Sequence, residues 1–590
     1  MRLLLNSLAP YLKRYKWLLV SGFVVIIISN LFAILPANFV RRAFDYTEQS
    51  LDDGVSKDEI FTQLLIFAAL ILGAALLRGF FMVLMRQTII VMSRKIEYDQ
   101  KNDLFAKYQT YSQTILRKRQ TGDLMARIAE DIGHVRMFTG PGIMYTFNTA
   151  TLFVVVLPMM LSVSPLLTLY VVLPFPVLAL TIYIVQFYIL KRSEAVQAQL
   201  SSMNSFTQES YSGIRLLRAY ARENSFKALF DKQSGEYRRL SLRLARVDAF
   251  FFPAILLLIG LSTVFAVWIG GREVITGDVS VGNIAEFIIY IGMFTWPVAS
   301  LGWVTSLIQR AVASQKRINE YLALESELDF PAKSEPITEG SFELKNVKLT
   351  YADTGIESLK DISLNVPAGS MLGVVGPTGS GKSSLTNLMV RFMDPDEGEV
   401  RVDGRPIQSY SKAALRSAIG YVPQDGFLFS DSIANNIAFG KIDASREEVE
   451  AAAKFAGVYE DILDFPKGFD TRVGERGVTL SGGQKQRISI ARAYLSQPRM
   501  LIMDDSLSAI DTETEERILK NLREELKSGG QPPTLIVVAH RLSSVRDADQ
   551  IVVLEAGKIS ERGTHAELIQ NGGFYAAVFE QQQLQRQEEN

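Results

Sequence analysis

The chain has 590 residues, which is too long for one ordinary domain. Of these residues 48% are apolar and 21% are charged, but the long apolar runs lie in the first half and the second half has the composition of a soluble α/β domain. The formal net charge of −1 gives no reason to expect nucleic acid as a partner. The absence of cysteine excludes disulfides and thiolate metal sites, and the three histidines are too few and too scattered for a metal cluster.

The N-terminal segment does not resemble a cleavable signal peptide. Its first apolar run, residues 17–40, is longer than a signal core and is followed by no small-residue cleavage site. The preceding residues, 3–14, favour a short amphipathic helix on the membrane surface, and the alternative is a frayed terminus.

Six stretches are long and apolar enough to span a bilayer, which takes about 20 residues each. They lie near 17–40, 60–92, 137–163, 165–190, 248–271 and 281–308. The gaps at 93–136 and 191–247 are long and rich in Lys and Arg, whereas the first gap is acidic. The positive-inside rule therefore predicts that the basic gaps and both termini are cytoplasmic.

The two long basic gaps have the composition of helices that continue out of the membrane. Breaks are predicted at 121–123 and at 212–214, where glycine interrupts each helical pattern. A long helix, a short crosswise turn and a return helix would form a contact point for the second half of the chain. The alternative is a pair of solvated helical linkers.

Three charges inside the predicted spans are candidates for function, because charges are costly there. Arg78 and Glu286 are predicted to face a water-filled cavity, to pair with a charge on another helix or to lie at the membrane interface, and Arg86 to lie near the cytoplasmic interface. Aromatic and methionine side chains of the last span are predicted either to line an adaptable apolar site or to pack between helices: Phe287, Tyr290, Met293, Phe294, Trp296 and Trp303.

A membrane part, residues 1–323, is predicted to be followed by a linker at 324–340, an α/β domain at 341–580 and a polar tail at 581–590. The α/β domain contains a glycine-rich loop between an apolar strand and a helix, which is the setting of a phosphate-binding loop. Its glycines allow backbone N–H groups to surround phosphates, its lysine adds positive charge, and its serine hydroxyl is a Mg²⁺ ligand. The residues predicted to bind nucleotide here are Gly376, Pro377, Thr378, Gly379, Ser380, Gly381, Lys382, Ser383 and Ser384.

Two further strand ends are predicted to complete the phosphate site. Asp504 ends the apolar strand 500–503 and is predicted to hold Mg²⁺. Asp505 follows it, where a general base would polarise the attacking water. Its side chain is one methylene shorter than that of Glu, so slow hydrolysis is expected; the alternative is that a backbone shift compensates. His540, at the end of the strand 535–539, is predicted to sense the γ-phosphate.

Together these motifs closely resemble those of exporter-type ABC half-transporters over nearly the whole chain. The resemblance implies a membrane α-helical bundle of six long helices fused to an α/β P-loop NTPase domain, with ATP and Mg²⁺ as cofactors. It implies that Tyr351 stacks on adenine, that Gln424 contacts Mg²⁺ and the γ-phosphate region, and that residues 112–116 and 212–220 form coupling helices. Residues 473–477 resemble the loop that meets those helices in exporters.

The resemblance also implies that half of each nucleotide site comes from a second subunit. Residues 480–484 match the ABC signature and residues 508–511 the D-loop, and the residues expected to contact nucleotide are Ser481, Gly482, Gly483, Gln484 and Asp511. Members of this family normally carry Glu at the position of Asp505. Asp at this position is typical of one subunit of heterodimeric bacterial multidrug exporters.

The function implied is ATP-driven export of amphipathic small molecules across the cell membrane, in partnership with a different half-transporter that carries the catalytic Glu. Three alternatives remain: a homodimeric lipid or drug flippase, an exporter-fold siderophore importer, and a regulatory subunit that only senses ATP. Asp505, His540 and Gln424 are the candidate catalytic residues, and Ser383, Gln424 and Asp504 the candidate metal ligands.

Overall fold

A computed structural model describes residues 2–474, 477, 480–528 and 532–589. The chain divides into two compact units. The first comprises Met1–Gln109 and Thr121–Leu324, and the second comprises Thr110–Gln120 and Glu325–Asn590.

The first unit is built from six helices that are long and apolar enough to cross a membrane. They are Lys16–Asp52, Lys57–Tyr108, Thr121–Val163, Pro165–Ser212, Glu223–Thr276 and Val281–Leu322. Each contains one of the predicted stretches. The second and fifth have 52 and 54 residues. At 1.5 Å per residue they are about 80 Å long, far more than the ~30 Å of hydrocarbon, so most of the two basic gaps is helical as expected.

The N-terminal segment forms the helix Arg2–Arg14, so the predicted helix is present and the frayed alternative is wrong, while its place on the membrane surface stays a prediction. Its face with Leu4 and Leu8 is fully buried within the protein. The Tyr11 hydroxyl donates a hydrogen bond to Asp103 on the second spanning helix, 2.7 Å away. This helix therefore packs on the membrane unit through one apolar face.

The first predicted break is displaced. The second spanning helix ends at Tyr108, the short helix Gln113–Lys118 follows, and the next long helix already begins at Thr121. The prediction of a break at Thr121–Asp123 is therefore wrong: glycine is tolerated in a first helical turn, where an acidic side chain such as Asp123 also favours the helix dipole. The second break lies at Gly213 as predicted, followed by the short helix Ile214–Ala219.

Two sheets form the framework of the second unit. The strands are β1 Phe342–Tyr351, β2 Ile356–Val366, β3 Met371–Val375, β4 Glu397–Val402, β5 Arg405–Pro406, β6 Ile419–Val422, β7 Met500–Asp504, β8 Thr534–Val538, β9 Gln550–Glu555 and β10 Lys558–Gly563. One sheet is antiparallel in the order β2-β1-β4-β5, and the other has the order β10-β9-β3-β8-β7-β6. In the second sheet β9, β3, β8, β7 and β6 are parallel, and β3, β7 and β8 are buried along their whole length. Strands covered on both faces read as uninterrupted apolar runs, which is why they stand out in the sequence.

The second unit also contains α-helices. They are Lys382–Met389, Lys412–Ala418, Ile433–Ala438, Arg446–Phe455, Tyr459–Leu463, Gly482–Leu495, Thr512–Ser528, His565–Asn571 and Phe574–Glu589. Residues 324–340, predicted as a linker, contain no helix or strand. The last helix includes residues 581–589 of the predicted tail. The functional side chains described below lie where β3, β7 and β8 end, in the place that parallel α/β sheets offer to ligands.

Candidate nucleotide site and membrane cavities

The glycine-rich loop connects β3 to the helix Lys382–Met389, and its glycines are required by the backbone. Gly376 has φ +150° and Gly381 φ +105°. A Cβ atom on Gly376 would lie 2.1 Å from the carbonyl oxygen of Leu554, and one on Gly381 would lie 2.5 Å from that of Ser358. Larger residues are excluded at both positions, so the loop keeps a tight curve that presents backbone N–H groups at the start of the helix.

Lys382 begins the helix, and its side chain folds back onto this loop. Its ammonium group donates hydrogen bonds to the carbonyl oxygens of Gly376 and Pro377, at 2.8 and 2.9 Å. Burial lowers the pKa of Lys382, and the carboxylates of Asp504 and Asp505 oppose that shift. The cation is thus held by the loop itself, close to two acidic side chains.

Asp504 ends β7 and is almost fully buried. Its carboxylate oxygens lie 3.4 Å from the Ser383 hydroxyl and 3.0 Å from the Thr386 hydroxyl. Burial raises the pKa of Asp504, while hydrogen bonds from Thr386 and Ser383 lower it and limit the rise. A carboxylate beside a serine hydroxyl at the edge of a phosphate loop is an oxygen donor set that suits Mg²⁺, so the residues present fit that ion.

Asp505 brings the three candidate catalytic residues together. Its Oδ2 atom accepts a hydrogen bond from Gln424 Nε2 at 3.1 Å and lies 3.9 Å from His540 Nε2. The residue has φ +48°, and its backbone N–H donates to the carbonyl oxygen of Val538. A left-handed backbone is tolerated by Asp better than by most side chains. The short side chain of Asp505 thus directs its carboxylate toward Gln424.

These side chains surround a cavity of about 400 Å³. The Tyr351 hydroxyl and Ser384 Oγ are 2.9 Å apart on its wall. The predicted residues that line it are Tyr351, Thr378, Gly379, Gly381, Lys382, Ser383, Ser384, Gln424, Asp504, Asp505 and His540. Gly376, Pro377 and Ser380 belong to the loop but do not contribute to this lining within the described part of the chain.

The signature residues lie elsewhere in the unit. Ser481 and Gln484 cap the helix Gly482–Leu495 reciprocally, each side chain accepting a hydrogen bond from the other's backbone N–H. Gly483 lies against the D-loop, since a Cβ atom on it would be 2.9 Å from the carbonyl oxygen of Ala509. The side chain of Asp511 accepts a hydrogen bond from the Thr514 N–H.

None of Ser481, Gly482, Gly483, Gln484 and Asp511 is among the described residues that line the nucleotide cavity of this chain. In the predicted exporter loop 473–477, residues 475 and 476 lie outside the described residues.

Two residues of the cavity region escaped the sequence interpretation. Thr386 lies one helical turn beyond Ser383 and donates to Asp504, so the i,i+3 spacing could have revealed it. Arg117 lies on the short helix Gln113–Lys118, with its guanidinium carbon 4.5 Å from the centre of the Tyr351 ring. No local pattern identifies that contact, because the two residues are far apart in the chain.

The membrane unit contains cavities of its own. Arg78 and Arg86 line one of about 540 Å³, together with Met293 and Trp296. Trp303 and Arg86 line a neighbouring cavity. From the last predicted set, Phe287, Tyr290 and Phe294 are instead buried between helices.

Glu286 forms an ion pair between helices. Its carboxylate lies 3.6 Å from Arg41 Nε on the first spanning helix and accepts a hydrogen bond from the Tyr290 hydroxyl at 2.7 Å. Glu286 is 2% exposed. The possibility that it faces a cavity is therefore wrong, and the ion-pair alternative is confirmed.

Comparison with known proteins agrees with both halves of this architecture. A profile of the ABC transporter transmembrane region matches residues 18–298, and an ABC transporter profile matches residues 359–508. The multidrug resistance-like ATP-binding protein MdlA of Escherichia coli is 37% identical, over 90% of both chains. The chain belongs to the ABC transporter family.

Other relatives extend along nearly the whole chain. The probable multidrug resistance ABC transporter ATP-binding/permease protein YheI of Bacillus subtilis is 35% identical over 99% of this chain and 98% of its own length. The ATP-dependent lipid A-core flippase of Photobacterium profundum is 32% identical over 97% of each. The solved structure of a bacterial Atm1-family ABC exporter with ATP bound is 26% identical, with a TM-score of 0.80 and coverage of 97% and 98%. This ABC protein is thus a multi-pass membrane protein. It is an exporter-type half-transporter with six spanning helices and one ATPase domain.

Proposed function

We propose that this ABC half-transporter is the ATP-holding subunit of a heterodimeric bacterial exporter of amphipathic small molecules. Two of its relatives carry multidrug resistance in their names, and both match it over most of their length. The observation that carries the proposal is the short carboxylate of Asp505. A partner half-transporter with Glu at the equivalent position would then hydrolyse most of the ATP.

The chemistry of Asp505 supports slow hydrolysis at this chain's own site. The missing methylene shortens the reach of the carboxylate by about 1.5 Å, the length of one C–C bond. A displacement of about 1 Å in a catalytic group can cost a hundredfold in rate. One oxygen of this carboxylate, Oδ2, already accepts a hydrogen bond from Gln424 and lies close to His540. Asp505 would therefore orient a water molecule poorly.

The remaining residues of the site suit retention of nucleotide. Lys382 supplies positive charge at the phosphates, and Tyr351 offers an aromatic face for the base. Ser383, Asp504 and Gln424 would hold Mg²⁺, which when bound neutralises phosphate charge. The signature at Ser481–Gln484, displaced from this chain's own cavity, would complete the nucleotide site of the partner.

The proposal places both termini and the ATPase domain on the cytoplasmic side of the inner membrane. The basic helical extensions of the second, fourth and fifth spanning helices support this orientation. The short helices Gln113–Lys118 and Ile214–Ala219 would transmit movement of the ATPase domains to the spanning helices. Closure of the two ATPase domains on ATP would convert an inward-open state to an outward-open state.

The test is to purify the tagged chain from its native host and identify what accompanies it. Native mass spectrometry should detect a second, different half-transporter. The chain expressed alone should retain radiolabelled ATP yet hydrolyse it slowly, whereas the pair should turn it over. Brisk ATP hydrolysis and transport by the chain alone would refute the proposal.

A second candidate is a homodimeric lipid or drug flippase, which the relative named as a lipid A-core flippase favours. The same native mass spectrum separates the two, because a homodimer has twice the mass of one chain and contains no other subunit. Lipid movement in vesicles that contain only this chain would then support the flippase.

A further inference from the structure

The cavities of the membrane unit are lined by basic but not by acidic side chains among the described residues. Three of them, of about 590, 540 and 460 Å³, are lined by described residues that include Arg78, Arg86 and Arg310 but no Asp or Glu. Arg78 and Arg86 share the cavity of 540 Å³. An arginine inside a membrane protein is costly unless something offsets its charge.

Acidic side chains buried elsewhere in the same unit have cationic partners. Glu286 pairs with Arg41. Asp131 is bound by both Arg127 and Arg317. Neither of these carboxylates is left to neutralise an arginine in the cavity. In the described structure, Arg78 and Arg86 have no ion pair or side-chain hydrogen bond, and both are exposed.

The rest of the lining suits a molecule with a polar head and an apolar body. The side-chain amides of Asn30 and Asn148 add hydrogen-bonding groups, while Met293 and Trp296 offer adaptable apolar surface. Arg78 lies near the middle of the predicted span 60–92. Arg86 follows eight residues later on the same helix, about 12 Å along its axis. The positive charge is therefore placed within the apolar layer rather than only at its edge.

We propose that this cavity binds amphiphiles with an anionic head, such as a sulfonate, carboxylate or phosphate, and that Arg78 and Arg86 select that charge. The inference rests on the proposed function and narrows its substrate class. Arginine binds such oxyanions through paired N–H donors. A cationic amphiphile would place its charge beside two like charges, so it is disfavoured at this site.

The test compares three probes that share one pyrene-tagged alkyl chain and differ only in the head: sulfonate, alcohol and trimethylammonium. The full-length protein, in the assembly in which it purifies, is placed in nanodiscs of zwitterionic lipid without ATP. Binding is followed by energy transfer from tryptophan to pyrene, and Trp296→Phe shows how much of the signal comes from the cavity. The sulfonate should bind at least about tenfold more tightly than the trimethylammonium probe, as expected for charge-assisted hydrogen bonds from two arginines.

Variants assign the selectivity to the two arginines. The double variant Arg78→Gln with Arg86→Gln should weaken sulfonate binding by about tenfold or more and leave alcohol binding unchanged. The corresponding double Lys variant should retain most of the preference. Arg272→Gln removes a charge from a spanning helix but lines none of these cavities, so it should match the parent protein. Unchanged binding of the alcohol probe shows that the membrane unit of each variant is folded, and unchanged binding of a fluorescent ATP analogue shows the same for the ATPase unit.

Two results would overturn the inference. One is equal affinity for sulfonate and alcohol in the parent protein, as expected if a carboxylate of a partner subunit already neutralises the arginines. The other is an unchanged sulfonate preference in the double Gln variant. These outcomes are distinct from failure of the proposed function, because binding is measured without ATP. A chain that prefers the sulfonate but transports nothing would refute only the export proposal.

Discussion

Replacing Asp505 by Glu tests the catalytic consequence of one methylene. The change should carry the carboxylate about 1.5 Å further from the backbone, beyond its present hydrogen bond with Gln424. Correct placement of a catalytic group can contribute about a hundredfold in rate, so hydrolysis at this site should rise toward that limit. The backbone opposes part of the gain, because φ is +48° at this position and a longer side chain tolerates a left-handed conformation less well, at a cost of about 1 kcal/mol.

The assay is single-turnover hydrolysis of radiolabelled ATP at this chain's site, with the partner's site inactivated by mutation. Steady-state ATPase of the proposed pair is a less sensitive measure, because the partner's site would already work and the total could only about double if this chain's site became equally fast. Thermal unfolding should report the small loss of stability separately from the gain in rate.

The matched control is Asp505→Asn, which keeps the side-chain length and tolerates the left-handed backbone but has no carboxylate. It should not accelerate hydrolysis. If the Glu variant hydrolyses ATP no faster than the parent protein, carboxylate reach is not what limits this site, and the account of an impaired subunit fails.

Three other predictions follow from contacts in the ATPase unit. Burial raises the pKa of Asp504, and Thr386→Val removes a hydroxyl that lowers it. Because a protonated carboxylate does not bind a metal, the variant should need about three- to tenfold more Mg²⁺ for half-maximal binding of a fluorescent ATP analogue. The increase should be larger at about pH 6 than at about pH 8. An equal increase at both pH values would contradict this. Asp403→Ala should destabilise the ATPase unit by about 1–2 kcal/mol after allowance for solvent screening, because its carboxylate accepts hydrogen bonds from four backbone N–H groups of residues 338–341. Burial raises the pKa of Asp403 but those N–H groups lower it overall, so its contribution to stability should be present above about pH 4 and be lost as the pH falls further. ATP affinity should be unchanged. A thermal melt that is insensitive to the mutation would contradict this prediction. Arg117→Ala should tighten ATP binding about two- to fivefold, because the guanidinium covers a face of the Tyr351 ring on which adenine would otherwise stack. Weaker binding would show instead that Arg117 holds the nucleotide.

The sequence was sufficient for the phosphate loop because that site is local. The glycines, Lys382 and Ser383 lie within one short segment, and the backbone angles and close contacts of Gly376 and Gly381 require glycine at both positions. Asp504 and His540 were recognisable for a related reason. Asp504 ends the apolar strand β7 and His540 follows the end of β8 by two residues, and parallel strands place their ends at one edge of the sheet.

Contacts between distant segments were not predictable in this way. Arg117 reaches Tyr351 only because residues 110–120 belong to the ATPase unit in space, although they lie between two spanning helices in the chain. The break predicted at residues 121–123 was misplaced for a local reason. Glycine is tolerated in the first turn of a helix, so Gly122 does not have to end one.

The sequence by itself determined the six spans, the alternation of strands and helices, and the residue types available at the phosphate site. The reason is that runs of apolar residues and the backbone conformation of glycine are properties of short stretches of chain. Only the tertiary structure decided which charges meet. Glu286, Arg78 and Arg86 are equally unusual as residues within predicted spans, yet the fold joins the first to Arg41 and leaves the other two on a cavity wall. The physical reason is that the free energy of a charge in an apolar medium depends on the partner brought next to it, and that partner lies on another helix.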